Sequence, residues 1–530
     1  MNTKRIFYLL VVAAIAMLLP MVISAQAPGP DENTLIVAQS QDATSLDPPQ
    51  LGARPESNIG AHLFSGLYNV DQNGNLEPEL AAAHSVSEDG LEHTFTLLEG
   101  LTCHDGSPLT ADDAEYTFMR AADPELEFTG NTPGFVYSSL GFVEAEAVSE
   151  LDVVVRLRAK KGTDLVLGLV SEVNMYCRES YEGRSLEDTA NNPVGSGPYQ
   201  LVEWVRDDYL LMEKWEDYAL YDENAFDRIV WRVIPESSTR TAELIAGNVD
   251  IITNVPPDQH AAVNNSDSAE IQDVAGFRRI FMGFNFTDNM EGLPGAEAIK
   301  SQEVRVALQY AVDVPTICSA LLGVECERAN GLVNAPNDHP DLEPYPYDPE
   351  RAEELLDEAG YPRGDDGVRF EVIVQGGRNR YLNDEQVILT ICQYFDDIGV
   401  QTDCQIQDFG NVFIPNLVTQ QAGPIYFVGS GGGAYAAQYE MADFSSPESN
   451  PNYGYWYNET WFTGWERLSA ATSAEEEREI ELDMLEAFYN DPPWLMLYFQ
   501  PDFYGVSTRL DWEARRDEKL YVQDATLASE

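Results

Sequence analysis

Lysine is scarce in this 530-residue chain, and positive charge as a whole is heavily outnumbered. Lys and Arg together number 31 against 90 Asp and Glu, so the formal net charge is −59. Such an excess argues against nucleic acid or an anionic membrane surface as a partner. Two explanations stay open: carboxylates that keep the surface soluble, or adaptation to a salty habitat where screening relieves self-repulsion. The six lysines are Lys4, Lys160, Lys161, Lys214, Lys300 and Lys519.

Long hydrophobic runs are also missing, except at the N-terminus. Lys4 and Arg5 precede an apolar stretch from Ile6 to Leu19, and small residues follow up to Ala27. This order is typical of a secretory signal peptide, which we place at residues 1–27. The alternative is an uncleaved anchor, because the apolar stretch, extended a few residues, approaches the minimum span of a bilayer. No cysteine lies near the cleavage site, which argues against a lipid-anchored start. We expect an exported protein, periplasmic or extracellular and associated with the cell envelope.

Cysteine and histidine are too few and too scattered to predict a metal site. Six cysteines in an exported chain permit disulfides, and fifteen pairings are possible, with buried thiols as the alternative. Two pairs close small loops, Cys318 with Cys326 and Cys392 with Cys404, which leaves Cys103 and Cys177. None has the CxxC spacing of a zinc site, and the six histidines show no HxxxH or HExxH spacing. We therefore expect no metal and no cofactor.

A catalytic constellation is absent from the sequence. No G-x-S-x-G elbow occurs, and acid pairs such as Asp112 and Asp113 carry no weight in a chain with 90 carboxylates. We therefore predict no catalytic residues and a protein that is not an enzyme. An exported hydrolase is the rival from another functional class.

What the chain does contain is an alternation of helix and strand patterns. Asp348 is a helix cap, Pro349 suits the first turn, and Gly360 ends the helix. Gly247 ends another helix in the same way. Since 530 residues are too many for one core, the alternation predicts two or three α/β lobes.

A series of short motifs, most of them turn and cap motifs, follows a fixed order along the chain. They are Leu46-Asp-Pro48, Phe64-Ser-Gly-Leu-Tyr68, Phe95-Thr-Leu-Leu-Glu-Gly100 running on to Asp113, Asn192-Pro-Val-Gly-Ser-Gly-Pro-Tyr199, Glu243-Leu-Ile-Ala-Gly-Asn-Val-Asp250 and Asp348 to Pro362. In this order the motifs resemble those of the extracellular solute-binding proteins, family 5, which serve dipeptide, oligopeptide and nickel ABC importers. Because turns and caps shape the backbone, the motifs identify a fold more than a site.

The resemblance implies an α/β, periplasmic-binding-protein-like fold of the class II type (cluster C), with two lobes and a hinge. Lobe I comprises residues 31–59, 190–275 and 495–530, with a subdomain at residues 60–189. Lobe II comprises residues 276–494. The hinge is expected where the chain crosses between the lobes, near Gly276 and near Trp494.

The resemblance also implies the role of a substrate-binding component of an ABC importer. A peptide or oligosaccharide-like solute binds in the cleft between the lobes, the lobes close, and membrane permease subunits receive the solute. We expect a monomer. The rival within the same fold is a sensor or scavenger that passes its ligand to a signalling receptor.

The sequence departs from the family in the loop where peptide-binding members carry a Trp and then an Asp, the latter pairing with the peptide's α-amino group. The corresponding stretch, Ile425 to Tyr435, has neither. Desolvating an α-ammonium without that carboxylate is costly. The departure puts an ordinary dipeptide in doubt, although Asp443 or Asp408 can substitute. It leaves room for a neutral oligosaccharide or for a longer peptide held by its backbone.

The candidate ligand-binding residues come from three segments, each with a structural alternative. Polar residues follow the first strand, where open α/β lobes place their ligands, although a role in turn formation is equally plausible. A Gly-rich loop permits close backbone approach to a ligand, although a flexible surface turn would equally explain it. An aromatic segment offers rings to a ligand, although core packing explains it at least as well. The candidates are Ser40, Gln41, Thr44, Gly429, Ser430, Gly431, Gly432, Tyr435, Tyr453 and Trp456.

Overall fold

Two long antiparallel strands run through the middle of the molecule and connect its two halves. The computed structural model describes residues 29, 31–71, 75–128, 130, 132–220, 224–326, 328–335, 337–431, 436–447, 449, 452–471 and 473–528. The predicted signal peptide, residues 1–27, lies outside the described residues. No helix in these ranges is both long and apolar enough to cross a membrane.

Strands and helices alternate along the chain, as the sequence predicted. The strands are β1 (Thr34–Gln39), β2 (Tyr68–Val70), β3 (Leu76–Pro78), β4 (Ala81–Val86), β5 (Glu92–Leu97), β6 (Phe142–Ala147), β7 (Asp152–Leu157), β8 (Tyr199–Val205), β9 (Tyr209–Lys214), β10 (Arg228–Val233), β11 (Ile251–Ile252), β12 (Ala269–Phe284), β13 (Phe370–Arg378), β14 (Val400–Asp408), β15 (Ile425–Ser430), β16 (Trp494–Ser507), β17 (Leu510–Asp511) and β18 (Thr526–Leu527). The α-helices are α1 (Arg54–Leu63), α2 (Ala111–Ala121), α3 (Tyr137–Leu140), α4 (Thr163–Val170), α5 (Leu186–Asn191), α6 (Ser237–Ile245), α7 (Pro257–Asn264), α8 (Gln302–Tyr310), α9 (Val314–Ile317), α10 (Pro349–Glu358), α11 (Asp384–Asp397), α12 (Ile414–Val418), α13 (Ala437–Met441), α14 (Glu459–Ala470) and α15 (Ala474–Asn490).

The largest sheet among the described residues has ten strands in the order β14-β13-β15-β12-β16-β11-β1-β10-β9-β8. Parallel pairs occur on both sides of the long strands, β1 with β10 and β11, and β13 with β14 and β15. We call β8, β9, β10, β1 and β11 the first half-sheet, and β15, β13 and β14 the second half-sheet. Helices pack on both, which gives the mixed α/β architecture expected from the sequence.

The long strands β12 and β16 change register where they pass from one half-sheet to the other. Ala269 to Ala275 pair with Ser507 to Pro501, and pairing resumes at Arg279 opposite Phe499. Gly276 lies in this interruption, where an added Cβ would collide with the Gln500 carbonyl oxygen and the Asp502 carboxylate. A side chain is therefore excluded at the point where the two strands cross between the halves.

Buried residues between Leu67 and Cys177 form an apolar core that is separate from the core of the ten-stranded sheet. It is built around the antiparallel sheet β4-β5-β7-β6, with α2 packed against β6 and β7, and α4 packed against β2 and β3. The disulfide Cys103–Cys177 joins two buried positions of this core. The other two bridges, Cys318–Cys326 and Cys392–Cys404, close short loops elsewhere. Of the alternatives that the sequence left open, the structure forms bridges.

Candidate functional site

A cavity of about 570 Å³ lies between the segment that follows β1 and the end of β15. Its volume is within the range of about 300–1,000 Å³ that is common for small-molecule sites. The segment that follows β1 of the first half-sheet and the end of β15 of the second half-sheet contribute to its wall, and so do Asp517 and Lys519 from the C-terminal segment. The wall is therefore assembled from parts of the chain that are hundreds of residues apart.

The first wall is the turn after β1, and the Glu56 carboxylate fixes its shape. The Thr44 amide donates to Glu56 Oε1 (2.9 Å), and the Thr44 hydroxyl donates to the same oxygen. Glu56 Oε2 accepts from the Gly52 and Ala53 amides at 3.2 and 3.1 Å. One carboxylate at the first turn of α1 thus connects both ends of the loop that carries Gln41 and Thr44.

The second wall is the glycine-rich end of β15, which a buried arginine holds in place. Arg279 Nη2 donates to Ser430 Oγ (3.0 Å), the Gly431 carbonyl (2.7 Å) and Asp443 Oδ2 (2.8 Å). Its Nη1 donates to Glu440 Oε1 (3.0 Å). Burial raises the pKa of Glu440 to about 7 and that of Asp443 to about 6, against the opposing effect of Arg279. Asp443 lines the cavity while its Oδ2 is held by Arg279 and by Ser430, which donates at 2.7 Å.

Three arginines converge on one carboxylate at the edge of the cavity. Arg278 donates from Nε to Glu518 Oε2 at 2.7 Å and from Nη2 to the same oxygen. Arg54 and Arg380 approach that oxygen at 3.8 and 3.9 Å, too far for a hydrogen bond. Burial opposes ionisation of Glu518, yet the charges of Arg278 and Arg380 prevail and lower its pKa to about 2. Glu518 is therefore a carboxylate at any ordinary pH.

Two of the charged residues near the arginines, Lys519 and Asp517, are already paired. Lys519 Nζ donates to Glu172 Oε1 at 2.8 Å, and Arg515 Nη2 donates to Asp517 Oδ2 at 2.7 Å. Burial raises the pKa of Asp502, and the Glu518 charge raises it further. The three-arginine cluster (Arg54, Arg278 and Arg380) therefore keeps a local excess of positive charge in a strongly acidic protein.

Aromatic rings cover the part of the cavity next to β15. Tyr381 packs edge-to-face on Phe409 with ring centroids 5.6 Å apart, and its hydroxyl donates to the Gly429 carbonyl at 3.1 Å. Tyr453 also lines the cavity. Trp456 does not: it is 2% exposed and packs against Phe444, Trp461 and Phe488. The aromatic segment is thus divided between the cavity and the core.

The residues selected from the sequence occupy different places in the structure. Gln41, Thr44, Gly429, Ser430, Gly431 and Tyr453 line the cavity. Ser40 lies in a smaller adjoining pocket of about 40 Å³, which Arg54, Arg380 and Glu518 also line. Gly432 and Tyr435 are outside the described residues. The three arginines were missed, because no local pattern distinguishes Arg54, Arg278 or Arg380 from other arginines in the sequence.

In the part of the chain that the structure describes, no three His, Cys, Asp or Glu side chains are grouped so that they could hold a metal ion. His104, for example, is engaged in a turn, where its Nδ1 accepts from the Gly195 amide and its Nε2 is 3.0 Å from the Gly197 carbonyl.

Comparison with known proteins gives a consistent result. The family model for bacterial extracellular solute-binding proteins, family 5 Middle, matches residues 75–452. The glutathione-binding protein GsiB of Pectobacterium atrosepticum is 24% identical over 471 residues, which are 87% of this chain and 88% of GsiB.

Solved structures share the fold over nearly the whole length. The Campylobacter jejuni NikZ structure, in complex with Ni(L-His), matches with a TM-score of 0.81 and 21% identity, covering 94% of this chain and 100% of NikZ. The structure of the Bacillus subtilis oligopeptide-binding protein AppA, in complex with a nonapeptide, matches with a TM-score of 0.80 and 20% identity, covering 95% of this chain and 100% of AppA. At these identities the likeness concerns the fold alone.

Proposed function

Since this chain belongs to the bacterial extracellular solute-binding proteins, family 5, we propose that it captures a peptide or oligosaccharide-like solute in the cavity of about 570 Å³. Proteins of this family are the substrate-binding components of ABC importers for peptides and similar solutes. The observation that carries the assignment of the site is the composition of the wall: Gln41 and Thr44 come from one half of the molecule and Gly429 to Gly431 from the other. A solute that contacts both halves favours the closed form.

We keep the expected bounds 31–59 and 190–275 for lobe I and 60–189 for its subdomain, and we revise the expected boundary between lobe II (276–494) and the C-terminal part of lobe I (495–530). The register change of β12 and β16 supports a hinge at Gly276. The expected second crossing near Trp494 moves to about Gln500, because Trp494 to Phe499 still pair with the lobe II part of β12. This shift assigns the first half of β16 to lobe II.

Export and binding without turnover are part of the proposal. Residues 1–27 act as a signal peptide, and the mature protein works outside the cytoplasm as a monomer that contacts ABC permease subunits. A chain that lacks residues 1–27 is expected to be soluble and folded. An insoluble product would contradict these bounds, and hydrolysis of the bound solute by the pure protein would contradict a role limited to binding.

The test of the proposed site is a ligand screen on the purified mature chain. Native mass spectrometry identifies any solute that co-purifies, and thermal shifts are measured with glutathione, mixed short peptides and mixed oligosaccharides. Glutathione is included because the relative GsiB binds it by name. We expect one class to raise the melting temperature, and we expect a bulky residue at Gly431 to remove that effect. Stabilisation that persists in Gly431→Leu would place the ligand elsewhere.

A further inference from the structure

Glu518 does not neutralise all the positive charge of the three-arginine cluster. Arg54, Arg278 and Arg380 carry three positive charges, and Glu518 supplies one negative charge within 4 Å of them. The neighbouring Lys519 and Asp517 are paired with other residues. Excess charge that is shielded from water is costly unless an opposite charge accompanies it.

Some N–H donors of this cluster also lack hydrogen-bond acceptors among the described residues. Of the three arginines, Arg278 alone donates hydrogen bonds to Glu518, whose other oxygen, Oε1, accepts from Gln500 Nε2 at 3.5 Å. The guanidinium groups of Arg54 and Arg380 approach Glu518 only as long ion pairs. The Arg54 Nε is buried and has no hydrogen-bond partner. The side chains of Arg54 and Arg380 are 24% and 14% exposed, so water reaches them only in part.

The open side of these arginines faces the glycine-rich wall. A Cβ added to Gly431 would lie 3.7 Å from Arg278 Nη2 and 3.8 Å from Arg54 Nη2. Both arginines, together with Arg380, line the main cavity. The unsatisfied donors are therefore at the place where the proposed solute binds, between a wall of lobe I and a wall of lobe II.

We propose that the solute carries a carboxylate, which binds to Arg54, Arg278 and Arg380. This inference rests on the proposed function and narrows it from peptide or sugar to an anionic, peptide-like solute. A guanidinium fork matches the two oxygens of a carboxylate, and such charge-assisted pairs are strong when partly desolvated. A neutral sugar would leave the excess charge uncompensated, and the α-ammonium end of a peptide would be repelled. The negative end of the solute is thus the end that the cavity recognises.

The test uses a filtered casein hydrolysate, the same hydrolysate after methyl esterification of its carboxyl groups, and a phosphatase-treated sample. We expect the untreated and phosphatase-treated samples to stabilise the mature protein and the esterified sample to have little effect. Stabilisation lost only after phosphatase treatment would overturn the carboxylate in favour of phosphate. Equal stabilisation by the esterified sample, or by oligosaccharides alone, would overturn the inference while leaving solute binding intact. Stabilisation by none of these would overturn the proposed function itself.

Two variants and a control connect the effect to the cluster. Peptides of the casein hydrolysate that stay bound to the wild-type protein are isolated and titrated into each variant. Their affinity should fall on the order of 30-fold for Arg380→Gln and for Arg54→Gln. Arg351→Gln removes the same charge from the exposed face of α10, where Arg351 pairs with Glu354 at 3.0 Å, and should bind as the wild type does. Because Arg54 is the more exposed of the two, its variant keeps the test valid if Arg380→Gln fails to fold. Unchanged affinity in a folded Arg54→Gln protein would contradict the proposal.

Discussion

Two glycines in the cavity wall, two residues apart, have very different surroundings. A Cβ at Gly429 would lie 2.7 Å from Ile280 Cδ1 and 3.0 Å from Tyr381 Cε1, whereas at Gly431 the nearest atoms are at 3.7 and 3.8 Å. The first position is filled by the protein itself, and the second opens onto the arginines. Substitution by alanine therefore separates stability from binding.

We predict that Gly429→Ala lowers the free energy of unfolding by about 1–3 kcal/mol, because the added methyl group overpacks the wall. Gly431→Ala should change it by about 0.5 kcal/mol or less, because its methyl group meets no atom closer than an ordinary contact. Urea denaturation of both variants measures the difference. Equal losses in the two would show that the wall relaxes around either methyl group.

His62 provides a prediction for the pH dependence of stability. It is fully buried, its Nδ1 is 2.8 Å from the Asn58 carbonyl, and its Nε2 accepts from the Val522 amide at 3.1 Å. Burial lowers its pKa from 6.5 to about 4, so between these values the folded state binds fewer protons than the unfolded state. The stability from this residue is complete above pH 6.5 and is lost as the pH falls towards 4.

His62→Gln removes this proton-linked term. Relative to the variant, the wild type should lose about 3 kcal/mol of stability between pH 6.5 and pH 4. Other buried groups titrate in the same range, which is why the difference between the two proteins, and not the slope of either, is the quantity to measure. Parallel stability curves over this range would show that the pKa of His62 is not lowered in the folded state.

At the scale of elements, local sequence predicted much of the fold. Asp348 and Pro349 begin α10, and the Asp348 side chain accepts from the Arg351 amide at 2.9 Å. Gly360 and Gly247 follow their helices with φ of +89° and +71°, which glycine adopts without strain. These features depend on residues within one turn of each other, and such signals can be read from sequence.

The candidate site was only partly predictable for the same reason. The glycine-rich loop was recognisable because its composition is local. The three-arginine cluster was not, because Arg54 and Glu518 are 464 positions apart and meet only where the C-terminal segment packs against α1. Trp456, in contrast, was predicted to line the site and lies in the core. The sequence of an aromatic segment does not show which of its rings faces a cavity and which packs in the core.

The disulfides differ in the length of chain that they constrain. Cys103–Cys177 spans 74 positions, whereas Cys318–Cys326 spans 8. A longer loop loses more conformational entropy in the unfolded state when it is closed. Replacing Cys103 and Cys177 by serine should therefore lower the free energy of unfolding by about 2 kcal/mol more than replacing Cys318 and Cys326. Guanidinium denaturation of the two double variants checks this, and a larger loss from the short loop would refute it.

For the whole molecule, the distribution of charge matters more than its total. The net charge of −59 is spread over the surface, while many of the arginines are buried in pairs or networks. Arg279, with no exposed surface, connects the long strand β12 to α13 through Glu440. The three-arginine cluster is thus a local group of positive charges in the cavity wall of a negative protein. The proposed anionic solute would be repelled by the protein at long range and attracted at these arginines.

Salt should therefore stabilise the folded protein. Between about 0.02 M and about 0.5 M NaCl the Debye length falls several-fold, so repulsion among the surface carboxylates is screened and the melting temperature should rise. The rise should disappear near pH 4.1, the isoelectric point, where the net charge vanishes.

Differential scanning calorimetry also separates the two explanations of the acidic composition. If the surface is acidic for solubility, the protein should be folded in dilute buffer, and salt should raise its melting temperature by a few degrees. If the surface is adapted to a salty habitat, the protein should be unfolded in dilute buffer. A melting temperature independent of salt at neutral pH would mean that ion pairs already neutralise the repulsion locally.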